Sequence, residues 1–265
     1  MRKKETIFLI GGFGNNLFQL NRAFELKENG YDVIINTRLL RKSFISKILK
    51  WSIHPSKMTE DICTQFRIEK KISLMGYIVL FFIFTLKQLK IFDFQDCNKP
   101  SRLFGFAIGY WQKNVVLNKN LITLLKDKFH NESTYENIKN KVILHARLGD
   151  FPPEIRIKDD YYLTAIQTLN IKEIILVTDT PDYLKKLKKN PPSDFEITLS
   201  AGISMLDDFL LMANATNLII SNSTFSYWAS QVNPVKNLIY PCTIAPETPW
   251  NYPLLNKLQQ KIRSH

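Results

Sequence analysis

The sequence predicts an α/β protein with two Rossmann-like lobes. Two observations support this class. Apolar, β-type segments alternate with helical segments, as they do in parallel sheets with crossover helices. This alternation also occurs twice, once at the start of the chain and again from residue 142 onward. We therefore place an N-terminal lobe at residues 1–140 and a C-terminal lobe at residues 141–265.

The first lobe opens with a βαβ unit, as a doubly wound domain does. We predict a strand at 6–10, a glycine turn, a helix over 16–29 that Gly30 ends, and a second strand at 31–36. Further along, we predict helices around 42–52, 71–90 and 118–129, and irregular chain at 105–112.

The second lobe shows a clearer pattern of short apolar runs separated by helical segments. Ser204 and Asp207 form an S-x-x-D capping box at the start of one of these helices. Strands are predicted at 142–146, 173–178, 194–199, 217–221 and 237–240, and helices at 159–169, 181–189, 205–215 and 224–232.

The composition favours a packed globular protein. The chain is 45% hydrophobic and has 18 Phe and 10 Tyr against only 9 Gly. Its three cysteines, Cys63, Cys97 and Cys242, are far apart and form no CxxC pair. This pattern argues against a disulfide framework and a structural zinc site, and it fits a reducing, cytoplasmic compartment. The basic N-terminus has too short an apolar run for a signal peptide, so we interpret it as the first strand.

The net charge of +12 is confined to the first part of the chain. Residues 1–150 hold 25 Lys and Arg against 13 Asp and Glu, whereas residues 151–265 hold 11 of each kind. A basic surface can meet nucleic acid, anionic lipid or a phosphorylated substrate, and a merely solvated lysine-rich surface explains it equally well. No RNP-like, zinc-finger or helix-turn-helix signature is present, so no nucleic-acid partner is predicted.

Ile72–Leu86 is almost wholly apolar and is flanked by Lys70, Lys71, Lys87 and Lys90. Its 15 residues fall short of the roughly 20 that a membrane span requires. A buried core helix is the favoured interpretation. The alternative is an interfacial helix that makes a peripheral contact with a membrane.

The glycine turn at 10–20 holds Gly11, Gly12 and Gly14, followed by Asn15. Because the turn opens a helix, its N–H groups are able to bind an anion. A tight turn without a ligand is an equally good interpretation. Leu17 stands where the dinucleotide fingerprint needs its last glycine, and no Gly-Lys-Ser/Thr of a P-loop follows.

The first strand of the second lobe ends in groups that can carry charge. Strand alternation sends His145 and Arg147 to the same face, Gly149 permits a turn, and Asp150 begins the loop. Arg147 has the fork geometry that matches a phosphate. Either it clamps a pyrophosphate, or it forms an ion pair with Asp150 that holds the loop.

Two later strands also end in polar residues. Asp179 is predicted either to accept hydrogen bonds from a nucleoside or to cap the helix at 181–189. Asn222, Ser223 and Thr224 crowd the start of the next helix, and Phe225 follows them. Hydroxyls and free N–H groups at a helix start favour an anion, although an ordinary cap has similar composition.

The three strand ends together suit a nucleotide diphosphate, because ligands of open parallel sheets bind beyond the carboxyl ends of the strands. The chain contains no D-x-D triplet, so no paired-carboxylate metal site is visible. We therefore expect Arg147, hydroxyl groups and helix dipoles to meet the phosphate charge, without a metal or other cofactor.

The chain resembles the α-1,2-fucosyltransferase family, glycosyltransferase family 11. The match lies in four blocks with the family's order and spacing. Residues about 37–135 add nothing to it, and Asn16, Leu148, Thr180 and Tyr227 depart from the family pattern. The blocks are Gly11–Gln19, His145–Asp150, Thr178–Thr180 and the pair of segments Asp208–Met212 and Asn222–Trp228.

The resemblance implies a GT-B fold and metal-independent, inverting transfer of fucose from GDP-fucose to a hydroxyl of a galactose-type sugar. By position, Arg147 would hold the donor phosphates, supported by Ser223 and Thr224 with their neighbours Asn222 and Phe225. Asp179 would lie near the nucleoside. The turn containing Gly12, Gly14 and Asn15 would close the cleft.

The resemblance leaves three matters open. Asp150 is the first candidate for the general base, and Glu154 and His145 are weaker ones. Leu148 and Thr180 prompt two alternatives. The protein either uses another nucleotide-sugar donor or is a binding module without catalysis. A lipid-linked glycan acceptor at the inner face of a membrane, as in surface-polysaccharide assembly, would explain the basic first lobe.

Overall fold

A computed structural model describes residues 3–40, 57–94, 96–98, 102–113, 115–130, 135–149, 151, 153–189, 195–232, 235–241 and 260–262. The described chain forms two compact units, one before Leu125 and the other from Leu125 onward. This division comes earlier than the boundary we placed after residue 140. The reason is visible at Phe129, whose ring lies 5.3 Å from that of Phe209 in the second unit.

The first unit is a five-stranded sheet with helices. The strand order is β3-β2-β1-β5-β4, and every pairing is parallel except the β4–β5 hairpin. A 3₁₀ turn covers Arg38–Leu40. The elements are β1 (Lys4–Phe8), α1 (Phe13–Glu28), β2 (Asp32–Asn36), α2 (Lys57–Cys63), β3 (Arg67–Glu69), α3 (Leu74–Gln88), β4 (Arg102–Leu103) and β5 (Phe106–Ile108). Helix α4 (Lys119–Phe129) follows them, and its residues from Leu125 onward belong to the second unit.

One prediction for the first unit is wrong. The segment 105–112, expected to be irregular, contains β5, which pairs in parallel with β1 near the centre of the sheet. The strand is only three residues long, and residues at positive φ flank it: Gly105 at 74° before it and Trp111 at 46° after it. The predicted helix at 42–52 lies outside the described residues.

The second unit is a six-stranded, entirely parallel sheet with strand order β8-β7-β6-β9-β10-β11. Short 3₁₀ turns cover Glu136–Ile138 and Pro153–Ile155. The elements are β6 (Val142–Ala146), α5 (Asp159–Leu169), β7 (Glu173–Thr178), α6 (Tyr183–Leu187), β8 (Glu196–Leu199), α7 (Met205–Ala213), β9 (Asn217–Ile219), α8 (Thr224–Val232), β10 (Asn237–Pro241) and β11 (Gln260–Ile262).

The strand order of the second unit creates a ligand crevice. The chain runs from β6 outward through β7 to β8, and then returns to the other side of β6 to add β9, β10 and β11. In such sheets the loops after the two strands at the point of reversal diverge and leave a crevice at their carboxyl ends. Here those strands are β6 and β9, which pair directly with each other.

The fold-class prediction is confirmed. Each unit contains a Rossmann-like sheet, which is parallel throughout in the second unit and parallel except for the β4–β5 pairing in the first. The capping box is also confirmed: Ser204 accepts a hydrogen bond from Asp207 N, and the Asp207 carboxylate accepts one from Ser204 N at 2.9 Å. Within the part of the chain that the structure describes, no helix has both the length and the apolar character needed to cross a bilayer.

Buried amides hold the glycine turn of the first unit. Gln19, which is fully buried, accepts a hydrogen bond from Ile10 N at 3.1 Å and donates one to Gly109 O at 2.9 Å. Asn16 is also fully buried; it donates to Ile10 O and accepts from the Thr59 hydroxyl. These side chains therefore satisfy backbone groups at the ends of β1 and β5.

We predict that Gln19→Leu lowers the free energy of unfolding by at least about 2 kcal/mol, because Ile10 N and Gly109 O lose their buried partner. Urea unfolding measures this change. Asn120→Ala is the control: its exposed amide donates to Glu28, and its removal should cost less than about 0.5 kcal/mol. An equal cost for both variants would contradict the structural role of Gln19.

Candidate functional site

The sheet of the second unit brings the three polar strand ends together. β6 lies between β7 and β9, and the parallel register aligns their carboxyl ends. The residues that follow β6 therefore meet those that follow β7 on one side and β9 on the other. Sequence reasoning expected this convergence, and the strand order produces it.

Arg147 and Asp179 form an ion pair across the β6 and β7 ends. Arg147 Nε lies 3.2 Å from Asp179 Oδ2, and the two side chains are 29% and 22% exposed. The same carboxylate accepts hydrogen bonds from Leu148 N at 2.9 Å and from Gly149 N at 3.0 Å. We call this arrangement the Asp179 clasp, because one carboxylate holds three successive residues of the loop after β6.

The clasp corrects one of the two sequence interpretations of Asp179. The N-cap of α6 is Asp182, and its side chain makes no capping hydrogen bond. The cap interpretation of Asp179 is therefore wrong, since its carboxylate turns toward the β6 loop instead. A contact between Asp179 and a nucleoside stays a prediction.

Gly149 permits the close approach of the loop to the carboxylate. A Cβ atom at this position would lie 2.9 Å from Asp179 Oδ2, inside ordinary contact distance. The next residue, Asp150, lies outside the described residues, and so does the predicted Arg147–Asp150 ion pair. Leu148 packs, partly buried, against the same hydrophobic cluster as Leu144 and Ala146. Its replacement of the family's second Arg thus affects core packing on that face.

His145 is a buried neutral imidazole. Only 4% of it is exposed, its Nδ1 lies 3.1 Å from Ser221 Oγ, and its ring centroid lies 6.1 Å from that of Phe225. Burial, reinforced by the charge of Arg147, lowers the pKa of His145 to about 3, although Asp179 opposes the shift. The imidazole therefore links β6 to β9, and its low basicity makes it a poor proton acceptor.

The polar residues after β9 are mostly committed to local structure. Asn222, 1% exposed, donates to Ile155 O at 2.6 Å and so ties the β9 end to the 3₁₀ turn of the β6 loop. The Ser223 hydroxyl accepts from Phe225 N at 3.3 Å, as a helix cap does. Thr224 begins α8. Asn222 Oδ1 is buried and accepts no hydrogen bond from the described residues.

A cavity of about 520 Å³ opens beside the clasp at the ends of β6 and β7. Three cationic side chains, Arg156, Lys158 and Lys186, line it together with one carboxylate, Asp159. Lys186 Nζ pairs with Asp159, and Arg156 Nε donates to Phe151 O at 2.7 Å. The remaining lining residues are Leu148, Gly149, Pro153, Ile157, Thr180 and Tyr183.

Sequence reasoning missed the cationic residues of this cavity. They lie in the β6 loop, at the start of α5 and in α6, and no local motif marks them. The available signal was indirect: the second half of the chain is neutral overall, yet three of its 11 cationic residues surround one strand end. A cavity of this charge suits an anionic ligand.

The glycine turn of the first unit has the geometry of a tight strand-to-helix connection. Gly11 adopts a φ of 79°, and Gly12 occupies the N-cap of α1 without a side-chain cap. Gly14 is buried, and Asn15 accepts a hydrogen bond from Gln112 at 2.8 Å. Asn15 therefore joins the turn to the chain that follows β5.

Among the described residues, no three His, Cys, Asp or Glu side chains are grouped as a metal site requires. The expectation of metal-independent chemistry stays a prediction.

The model of the family described as "Glycosyl transferase family 11" matches residues 100–261, more than half of the sequence. The chain belongs to this family. It is therefore a glycosyltransferase, and its substrates are a nucleotide-sugar donor and a glycan acceptor. The resemblance identified from the four sequence blocks is confirmed.

Two relatives from Escherichia coli are similar to the chain. The O-antigen biosynthesis glycosyltransferase WbnK is 23% identical over 87% of this chain and 91% of its own length. An alpha-1,2-colitosyltransferase is 29% identical over 54% of this chain and 55% of its own length. Among solved structures, the NodZ alpha-1,6-fucosyltransferase soaked with GDP-fucose is 14% identical, with a TM-score of 0.42 over 88% of this chain and 94% of the other.

We predict that the buried His145 makes the enzyme less stable toward acid. Because its folded-state pKa lies below 6.5, the unfolded chain binds a proton that the folded chain does not between about pH 3 and 6.5. Stability should therefore fall as the pH is lowered through this window. The free energy of unfolding, measured in urea at a series of pH values, should fall more steeply with decreasing pH in the wild type than in His145→Gln. The two slopes should differ by up to about 1.4 kcal/mol per pH unit. Parallel curves for the two proteins would contradict a buried neutral imidazole.

Proposed function

We propose that this glycosyltransferase moves L-fucose from GDP-fucose to a hydroxyl of a galactose-type sugar, with inversion at the anomeric carbon. The observation that carries the proposal is the Asp179 clasp, which fixes the Arg147 guanidinium beside a cationic cavity at the carboxyl ends of β6 and β7. The family of the enzyme supports the reaction type, because it requires a nucleotide-sugar donor.

The proposed reaction needs charge stabilisation more than covalent catalysis. The acceptor hydroxyl oxygen forms a bond to the anomeric carbon while the bond from that carbon to the phosphate oxygen breaks. The electron pair leaves with GDP, and the hydroxyl proton passes to a general base. Arg147, held by Nε in the clasp, would stabilise the charge that grows on the diphosphate.

The cationic cavity would bind the donor before the reaction. Arg156, Lys158 and Lys186 outnumber Asp159, so the cavity attracts a diphosphate. The Ser223 and Thr224 region at the start of α8 would add hydroxyl and N–H donors on the other side of β6. No metal ion is required in this proposal.

Asp150 is our proposed general base, and Glu154 is the second candidate. Both follow the clasp in the β6 loop, and Glu154 lies exposed on the 3₁₀ turn Pro153–Ile155. His145 is unsuited to this role, because its lowered pKa and its contact with Ser221 leave it a weak base. We assign it instead the positioning of the β6 and β9 ends.

GDP-colitose is a second candidate donor, because one relative is named for α-1,2 transfer of colitose. Colitose is L-fucose without the hydroxyl at C3. A site that hydrogen-bonds this hydroxyl rejects the deoxy sugar strongly, whereas a site that lacks the contact accepts both.

We also propose that the acceptor is a lipid-linked glycan of surface-polysaccharide assembly, met at the inner face of a membrane. The name of the relative WbnK, which refers to O-antigen biosynthesis, supports this acceptor class. The enzyme would make peripheral contact with the membrane through Ile72–Leu86.

Arg147→Ala should lower the rate of GDP release from GDP-fucose and acceptor by about 10²- to 10³-fold, with its fold retained. Arg147→Lys should recover only part of this rate, because it keeps the charge but not the fork. A coupled GDP assay measures the rates. Arg67→Ala removes an exposed arginine of the first unit and serves as the control. Normal turnover by Arg147→Ala would refute the proposed role.

Donor identity is decided by comparing GDP-fucose with GDP-colitose in the same assay. We expect GDP release to be faster with GDP-fucose. Preference for GDP-colitose would assign the colitosyl reaction instead. Binding of both donors without any GDP release would indicate a binding module that lacks catalysis.

A further inference from the structure

Helix α3 carries apolar side chains on its outer face as well as its inner one. Its inner face buries Gly76, Val79, Leu80 and Ile83 against the unit. The helix packs over the β4–β5 hairpin, where Gly76 lies close to the Phe106 ring. The outer face exposes six further apolar or aromatic side chains: Leu74, Met75, Tyr77, Ile78, Phe81 and Phe82.

The exposure of this outer face is large. Leu74 is 78% exposed, Phe81 69% and Phe82 51%. Leu89 and Ile91, just beyond the helix, are 64% and 58% exposed and extend the apolar surface. A soluble protein rarely presents a contiguous apolar face of this kind, and such a face usually marks a contact with a membrane or a partner.

The charges within residues 70–92, which contain α3, all have one sign. Lys70 and Lys71 precede the helix, while Lys87 and Lys90 lie at its end, and all four are exposed. Lys87 Nζ lies 4.8 Å from the centre of the Phe94 ring, which holds its ammonium group close to the body of the unit. No acidic residue occurs between Lys70 and Phe92. The apolar face therefore has lysines at both of its ends, and Glu69 and Asp93 lie just outside them.

We propose that the outer face of α3 lies on a bilayer that contains anionic lipids, with the helix axis parallel to the membrane surface. The apolar side chains would enter the acyl boundary, and Lys70, Lys71 and Lys90 would meet the anionic headgroups. The helix is about 22 Å long at 1.5 Å per residue, too short to span a bilayer, so it lies on the membrane and does not cross it. This inference deepens the proposed membrane contact and rests on it, but it does not depend on which sugar is transferred.

The charge pattern favours lipid over a second copy of the chain. In a two-fold symmetric dimer the same patch faces itself, so the lysines at the ends of one α3 would approach those of the other. Like charges in contact oppose association. An anionic lipid surface instead neutralises both groups of lysines at once.

The test is co-sedimentation of the full chain with vesicles. The wild type should bind vesicles that contain phosphatidylglycerol, and bind phosphatidylcholine vesicles much less. The double variant Phe81→Ser/Phe82→Ser should bind at least about tenfold more weakly, because it removes two apolar side chains from the acyl boundary. Lys70→Gln/Lys71→Gln should bind phosphatidylglycerol vesicles roughly tenfold or more weakly, and high salt should have a similar effect.

Matched controls lie in the second unit. Ile203→Ser removes an apolar side chain that is 97% exposed, and Lys188→Gln/Lys189→Gln removes two exposed lysines. Both should bind vesicles as the wild type does. Thermal unfolding of every variant should match the wild type, since each replaced side chain is exposed.

Three results would overturn the inference. The first is a wild-type chain that does not bind phosphatidylglycerol vesicles. The second is a loss of binding in the control variants as large as that in the α3 variants. The third is a dimer in solution that Phe81→Ser/Phe82→Ser converts to a monomer, which would make the face a protein interface. GDP release with a soluble acceptor distinguishes the membrane contact of α3 from the proposed transfer reaction. The α3 variants should keep this GDP release. A wild type that binds vesicles but releases no GDP would refute the transfer reaction alone.

Discussion

The central position of β6 determines where the candidate site of the second unit forms. Because β7 and β9 both pair with this strand in parallel, three loop starts meet at one edge of the sheet. Each of them then contributes a different kind of group: a guanidinium after β6, a carboxylate after β7 and a buried amide after β9. Without the reversal of strand order at β6 and β9, these groups would lie at separate places along the edge.

The Asp179 clasp fixes the arrangement of groups at this edge. Its carboxylate is shared between two backbone N–H groups and the Nε of Arg147, so it orients the guanidinium without leaving a lone anion in the site. On the other side of Arg147, burial keeps His145 neutral. Among the described residues, the cation at the end of β6 is therefore Arg147, which is paired with Asp179 and lies next to the cations of the neighbouring cavity. This combination suits a dianionic diphosphate better than a neutral sugar.

The sequence predicted the second sheet well, because its strands are continuous apolar runs that end in turn-forming or polar residues. It failed at β5, where three residues between glycine and aromatic turns carry no periodic signal. It also could not choose between the two roles of Asp179. A cap is a local feature, whereas the clasp joins residues about 30 positions apart and appears only when β6 and β7 pair. The cationic cavity was missed for the same reason, since Arg156 and Lys186 come from separate elements.

Helix α3 illustrates a further limit of hydropathy. An apolar run of 15 residues has the same hydropathy whether one face of its helix or both faces are buried. The core-helix interpretation was therefore the reasonable choice. The structure shows that this interpretation holds for only one face. A helix that is apolar all round needs an apolar environment on its second side as well, and lysines at both ends restrict which environment is suitable. The lysines would then hold the protein at an anionic surface, because their long side chains allow the ammonium groups to reach headgroups while the helix lies deeper.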